Sequence, residues 1–121
     1  MPRAKKQKLG DCYQAAGSFM LQKCMLKPDS RKYLLVHAEV AGQGQLEGIT
    51  YGHGFVIDTE SQTIIDKSNG RNLELPVLLY YTLGKIDEIG NIHEYTYREM
   101  QQKITTFQHW GPWDLETSSG Y

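Results

Sequence analysis

The feature that most constrains the fold is a pair of β-rich segments that lie close together in the chain. The segments "YGHGFVID" (51–58) and "TIID" (63–66) are separated by a short polar stretch, which predicts a β-hairpin. Upstream of them, "YLLVHAEV" (33–40) alternates apolar residues in the manner of a further strand. A hairpin beside another strand indicates an antiparallel sheet.

The register of this hairpin places two chemically useful side chains together. With a four-residue loop at residues 58–61, Ile57 pairs with Gln62, and His53 then lies opposite Asp66. Cross-strand partners on one face have Cβ atoms about 5 Å apart. We therefore expect the carboxylate to hold one nitrogen of the imidazole, which fixes its tautomer and favours its charged form.

One helix precedes these strands and two follow them, and "NIHEYTY" (91–97), between the two later helices, is interpreted as a short strand. Asp11 is a favourable N-cap, and apolar residues recur at helical spacing in "CYQAAGSFMLQKCML" until "KPDSRK" ends the helix. Pro76 and Gly84 mark the start and end of a second, amphipathic helix that we expect in the core. A capping box at Thr96 predicts a third helix over residues 97–107.

This order of elements predicts an α+β fold in which the N-terminal helix packs on a small antiparallel β-sheet. The chain has 121 residues, of which 40% are hydrophobic, and this is enough for one compact domain. We assign residues 9–121 to that domain. Residues 1–8 contain four basic and no acidic side chains, and we expect them to form a flexible tail.

Charge and hydropathy exclude several classes of function. The net charge of −1 argues against a general nucleic-acid-binding protein. No apolar stretch approaches the ~18 residues that span a membrane. The start "MPRAKKQK" lacks the apolar segment and cleavage site of a secretory signal. We therefore expect a cytoplasmic protein whose partners are neither nucleic acids nor membranes.

The two cysteines are expected to be free thiols in different environments. On a single helix their separation is about 18 Å, beyond the ~7 Å between Cα atoms that a disulfide allows. Cys12 lies in the first helical turn, where the helix dipole and the N–H groups favour a thiolate. Cys24 lies at the opposite end and is expected to fill apolar space. Cys12 is therefore the candidate nucleophile.

Three motifs in order, "GDCYQAA", "YGHGFVID" and "TIIDKSNGR", resemble those of the papain-like superfamily, in particular its transglutaminase-like branch. The resemblance covers about residues 7–71. It implies a papain-like core with Cys12 as nucleophile, His53 as base and Asp66 as the group that orients the imidazole. It further implies a thiol-dependent amide hydrolase or acyl transferase, similar to a cysteine protease, that acts on a protein or peptide and needs no cofactor or metal.

Further residues are assigned around this candidate triad. Gln7 resembles the glutamine that papain-like enzymes place before the cysteine, which implies an oxyanion donor beside the backbone N–H of Cys12. Gly52 and Gly54 flank the histidine and leave room for a substrate backbone or for a packed helix end. Arg71 can bind a substrate carboxylate. We assign both glycines and Arg71 to the rim of the substrate cleft.

Two alternatives stay open at this point. His37 and Glu39 share one strand face, and together with His53 they imitate a metal site of two histidines and one carboxylate. A non-catalytic protein-binding or inhibitory module on the same scaffold is the other alternative, and it needs no reactive thiol.

Overall fold

The computed structural model describes residues 11–117, which form an α+β fold around one antiparallel sheet. The helices are α1 (Cys12–Cys24), α2 (Val77–Leu83), α3 (Ile86–Ile89) and α4 (Tyr97–Phe107). The strands are β1 (Tyr33–Ala41), β2 (Thr50–Asp58), β3 (Thr63–Asp66), β4 (Leu73–Pro76) and β5 (Ile92–Tyr95). Their order in the sheet is β4-β3-β2-β1-β5. Within residues 11–117, no helix has the length and apolar character needed to cross a membrane. The predicted tail, residues 1–8, lies outside the described residues.

Helices cover both faces of the sheet. The α1 face, covered by α1 and α4, carries the inward side chains of Leu35, Val56 and Ile65. The α2 face, covered by α2 and α3, carries those of Val36, Phe55 and Ile64. Because successive residues of a strand point to opposite faces, β1 and β2 are buried on both sides. The alternation predicted for β1 is present, but its second face is buried as well.

Helix α1 begins at Cys12, as predicted, and its start is tied to a distant turn. Met20 and Cys24 are almost fully buried and anchor the helix in the core. Asp11 occupies the N-cap position, but its side chain makes no capping hydrogen bond to the helix. Its Oδ1 instead accepts the backbone N–H of Asn69 at 2.9 Å, in the turn that follows β3. The helix start is thereby fixed against that turn.

The predicted hairpin is present, but its predicted register is wrong by two residues. Ile57 pairs with Ile64 rather than with Gln62. Asp58 remains in the strand, and its Oδ1 accepts the backbone N–H of Ser61 at 3.3 Å inside the loop. The loop therefore starts one residue later than expected. Because side chains alternate with a period of two, a shift of two residues leaves each side chain on its predicted face.

The later helices follow the sequence signals closely, although one lies in an unexpected environment. The capping box of α4 is complete, with reciprocal hydrogen bonds between Thr96 and Glu99. Helix α2 starts after Pro76 and ends before Gly84, as predicted. It is not a core helix, however, since Leu78 is 80% exposed. The short elements β4 and α3 were not predicted.

The chain after α4 returns across the α1 face. The Trp110 ring packs directly against Gly17 of α1, where no space is left for a side chain. The Trp113 ring contacts those of His37 and Tyr95, with ring centroids 4.9 and 5.1 Å apart. Leu115 is buried farther along. We call residues 110–117 the returning segment, and it holds α1 on the sheet.

Two methionines near the end of α1 provide a matched test of this packing. Met20→Ala removes a fully buried side chain, and we expect the free energy of unfolding to fall by about 2–5 kcal/mol. Met25→Ala alters an exposed side chain just after the helix and should change it by less than about 0.5 kcal/mol. Urea denaturation followed by circular dichroism measures both. Equal losses would contradict the described orientation of α1.

Candidate active site

Cys12 lies at an edge created where two strands separate. The β2–β3 ladder ends at the pair of Val56 and Ile65, so Gly54 has no partner on β3. Its backbone N–H donates to Cys12 Sγ, with the nitrogen 3.4 Å from the sulfur. The sulfur therefore lies at the edge of β2 where β3 would lie if the ladder continued. The rest of α1 packs on one face of the sheet.

His53 and Asp66 meet on the α2 face of the same sheet. Continuing the observed register by one residue places Asp66 opposite Phe55, so His53 is its diagonal neighbour rather than its direct partner. The His53 ring reaches across this diagonal, and Nε2 lies 2.9 Å from Asp66 Oδ2. The predicted contact is present although the predicted register is not.

The Asp66 carboxylate is completely buried and accepts hydrogen bonds on both oxygens. Ser68 donates twice to Oδ1, from its backbone N–H at 3.0 Å and its hydroxyl at 2.6 Å. Oδ2 accepts from the Tyr80 hydroxyl at 2.8 Å as well as from His53. A buried charge is stable only when such donors replace water, and this carboxylate has four.

Electrostatics keep this pair ionised. Burial alone would lower the pKa of His53, but hydrogen bonds with Asp66 and with Cys12 outweigh it and raise the pKa to about 9. Burial would raise the pKa of Asp66, but His53 and Ser68 hold it far below its usual range. Burial and the neighbouring carboxylate raise the pKa of Tyr80, so its hydroxyl stays protonated and can donate.

The imidazole of His53 joins the carboxylate to the thiol. Nε2 is engaged by Asp66, and Cys12, whose sulfur accepts the N–H of the adjacent Gly54, contributes to the raised pKa of the ring. All three predicted residues meet, and each is at most 9% exposed. The arrangement can hold a proton between sulfur and imidazole while the carboxylate fixes the ring.

The glycines that flank His53 make room for α1. A Cβ atom on Gly54 would lie 2.9 Å from the Tyr13 ring and 3.3 Å from its Cα. A Cβ atom on Gly52 would lie 2.5 Å from the Tyr13 hydroxyl oxygen. Of the two alternatives from the sequence, the structure shows the packed helix end. The predicted rim role of both glycines is replaced by this packing, because Tyr13 fills the space beside them.

A cavity of about 290 Å³ opens beside His53 on the α2 face. Tyr80 and Leu83 of α2 form one side, and Leu73 and Leu75 of β4 form another. Arg71 also lines the cavity, so it is the one predicted rim residue placed beside an opening. The sequence did not indicate this cavity, because it forms between β4 and α2, and β4 was not predicted.

Cys24, the second thiol, lies apart from this site at the other end of α1. Gln7 lies outside the described residues. Cys24 is 1% exposed at the far end of α1, where burial raises its pKa, and both cysteines are free thiols.

The alternative metal site of His37, Glu39 and His53 does not form. His37 of β1 pairs with Gly54 of β2, whereas His53 pairs with Ala38, the residue after His37. Successive residues of a strand point to opposite faces, so His37 lies on the α1 face and His53 on the α2 face. In residues 11–117 no group of three or more potential ligands could hold a metal ion. His37 is instead enclosed by aromatic rings, and burial together with His93 lowers its pKa to about 3, although Asp114 opposes this.

Two members of the site were not predicted, and only one had a local signal. Ser68 follows Asp66 by two residues, a spacing at which an aspartate side chain commonly accepts the backbone N–H. Tyr80 had no such signal, since its role depends on how α2 packs.

No protein-family model, curated protein or solved structure matches this chain.

The raised pKa of His53 predicts a pH dependence of stability. A histidine in an unfolded chain has a pKa of about 6.5, whereas His53 in the folded protein has one of about 9. The folded state binds the proton more tightly, so this stabilisation is complete below pH 6.5 and lost as the pH rises through 9. We expect the free energy of unfolding to fall on the order of 3 kcal/mol between pH 6.5 and 9.5. Urea denaturation at both pH values measures it.

His53→Gln is the control for this pH dependence. The variant lacks the titrating ring, so its free energy of unfolding should change much less over the same interval. An identical pH dependence in the wild type and the variant would show that another group is responsible.

Two neighbouring tyrosines test the hydrogen bond to Asp66. Tyr80→Phe removes a donor to a buried carboxylate, and we expect a loss of about 1.5–3 kcal/mol in the free energy of unfolding. The Tyr81 hydroxyl is buried without a partner among the described residues, so Tyr81→Phe should be neutral or stabilising. Urea denaturation at pH 7 compares them. A larger loss for Tyr81→Phe would be inconsistent with the described hydrogen bonds.

Proposed function

We propose that this protein is a thiol-dependent amide hydrolase or acyl transferase that uses Cys12, His53 and Asp66, with a papain-like, transglutaminase-like core. The observation that carries the proposal is the shared imidazole. His53 is held by Asp66 at 2.9 Å through Nε2, and Cys12 Sγ accepts the backbone N–H of Gly54, the residue next to His53, with the nitrogen 3.4 Å from the sulfur. Nucleophile, proton carrier and orienting carboxylate thus form one continuous chain, as this chemistry requires.

The reaction follows from the charges in that chain. With a pKa of about 9, His53 carries a proton at neutral pH and can act as a general acid. The proton on His53 is the one that the Cys12 thiol gives up, so the sulfur attacks the carbonyl carbon of a protein or peptide amide as an anion, and His53 donates that proton to the departing nitrogen. A thioester remains on Cys12. His53 then takes a proton from water or from an acceptor amine, which attacks the thioester and releases the sulfur.

The start of α1 supplies the expected site for the developing oxyanion. The backbone N–H of Cys12 lies in the first turn of a 13-residue helix, where the dipole favours negative charge. Gln7 stays the predicted second donor. Asp66 does not exchange protons in this scheme, because its pKa is held far below the working pH. Its role is to fix the ring of His53.

The rate of thiol alkylation tests the proposal without a known substrate. In the Cys24→Ala variant, we expect iodoacetamide to modify Cys12 at pH 6 at least about tenfold faster than a free cysteine, because a histidine in this arrangement activates its nucleophile. His53→Ala in the same background should remove this acceleration. Mass spectrometry of the alkylated protein over a pH series gives both rates.

Cys12→Ala is the matched control, since it leaves Cys24 as the remaining thiol. That thiol is buried, and its raised pKa should make alkylation slow. If Cys12 reacts no faster than a free cysteine, or if His53→Ala leaves its rate unchanged, the catalytic proposal fails. A non-catalytic protein-binding module would then be the better description.

A further inference from the structure

The cavity beside His53 has the composition of a pocket for one aliphatic residue. Its volume of about 290 Å³ is at the small end of the range for ligand pockets, which begins near 300 Å³. Half of its twelve lining residues are aliphatic: Val40, Ala41, Leu46, Leu73, Leu75 and Leu83. An aliphatic side chain placed there would be removed from water on most sides, which is favourable.

One cationic side chain at this cavity retains unused hydrogen-bonding capacity. The side chain of Arg71 is 52% exposed, and its guanidinium has Asp66, 3.8 Å away, as its acidic partner among the described residues. Both oxygens of that carboxylate already accept shorter hydrogen bonds from Ser68, His53 and Tyr80. None of the residues lining the cavity is acidic. A planar guanidinium in this position suits a carboxylate ligand, which it can bind with two hydrogen bonds.

The position of Arg71 is set by the same turn that completes the candidate triad. Its backbone N–H donates to the carbonyl oxygen of Ser68 at 2.9 Å, and Ser68 donates to Asp66. The backbone position of Arg71 relative to Asp66 is therefore set by the fold.

The cavity lies on the imidazole side of the candidate site. His53 lines it, whereas Cys12 does not. In the proposed reaction His53 protonates the departing nitrogen, so the group nearest the imidazole is the leaving group rather than the acyl group. A ligand in the cavity would be the part of the substrate that leaves.

We propose that this cavity binds the C-terminal residue of a peptide, with an aliphatic side chain against the leucines and a free carboxylate on Arg71. This specificity rests on the proposed function. Cys12 Sγ bonds to the carbonyl carbon of the preceding residue, the last peptide bond breaks, and His53 gives its proton to the nitrogen that departs as a free amino acid. Water then cleaves the thioester, with one proton passing to His53. One aliphatic amino acid is released in each cycle.

A pair of probes that differ only in the carboxylate tests the binding step. N-acetyl-leucine and N-acetyl-leucinamide are titrated separately into wild-type protein carrying ¹³C-labelled leucine methyl groups, and the Leu73 and Leu75 signals are followed by NMR. We expect saturable shifts with N-acetyl-leucine and at least tenfold weaker binding of the amide. Arg71→Gln should weaken binding of N-acetyl-leucine at least tenfold and leave that of the amide unchanged.

Arg98→Gln is the matched control, since Arg98 is 58% exposed and pairs with Asp29 away from the cavity. It should bind N-acetyl-leucine as the wild type does. Equal affinity for acid and amide, or no effect of Arg71→Gln, would overturn the inference.

The alkylation rate of Cys12, measured on the same samples, separates the two proposals. Fast alkylation without carboxylate-dependent binding leaves the hydrolase proposal standing and overturns the pocket assignment. Carboxylate-dependent binding with slow alkylation supports the pocket and overturns the release step.

Discussion

The buried carboxylate of Asp66 is the interaction on which the arrangement of this molecule depends. A charge without access to water must be surrounded by donors, and here they come from separate elements. His53 belongs to β2, Ser68 to the turn after β3, and Tyr80 to α2. One carboxylate therefore fixes a strand, a turn and a helix relative to one another. The same turn reaches α1 through the hydrogen bond from Asn69 to Asp11.

A second constraint is the point at which β2 and β3 separate. If their ladder continued past Ile65, β3 would occupy the edge where Gly54 donates to the Cys12 sulfur. Because the ladder ends there, a thiol on a helix that covers one face meets an imidazole on the other face. The absence of a side chain at Gly54 is equally necessary, since it allows the start of α1 to approach the strand backbone.

The sequence predicted which side chains share a face of the sheet better than it predicted the register between β2 and β3. His53 and Asp66 were correctly placed on one face of the sheet, because the face depends only on whether a position is odd or even, and a register error of two residues does not change that. In the observed register Asp58 stays in the strand and its carboxylate accepts the backbone N–H of Ser61 in the loop, a contact that the apolar pattern of the strands does not indicate. Tyr80 was missed for a related reason. Its segment has the apolar pattern of a core helix, yet the structure exposes Leu78 and turns the tyrosine toward the carboxylate.

The returning segment has a consequence for the order in which the protein can assemble on a ribosome. Helix α1 is synthesised before any strand, whereas Trp110, which packs on Gly17 of that helix, is synthesised after all of them. Leu115 lies beside Gly52 and closes the same face later still. A nascent chain thus contains Cys12 and His53 well before it contains the residues that clamp their supporting elements together. The contacts of Trp110 and Leu115 with these elements can form only after residues 110–117 have left the exit tunnel.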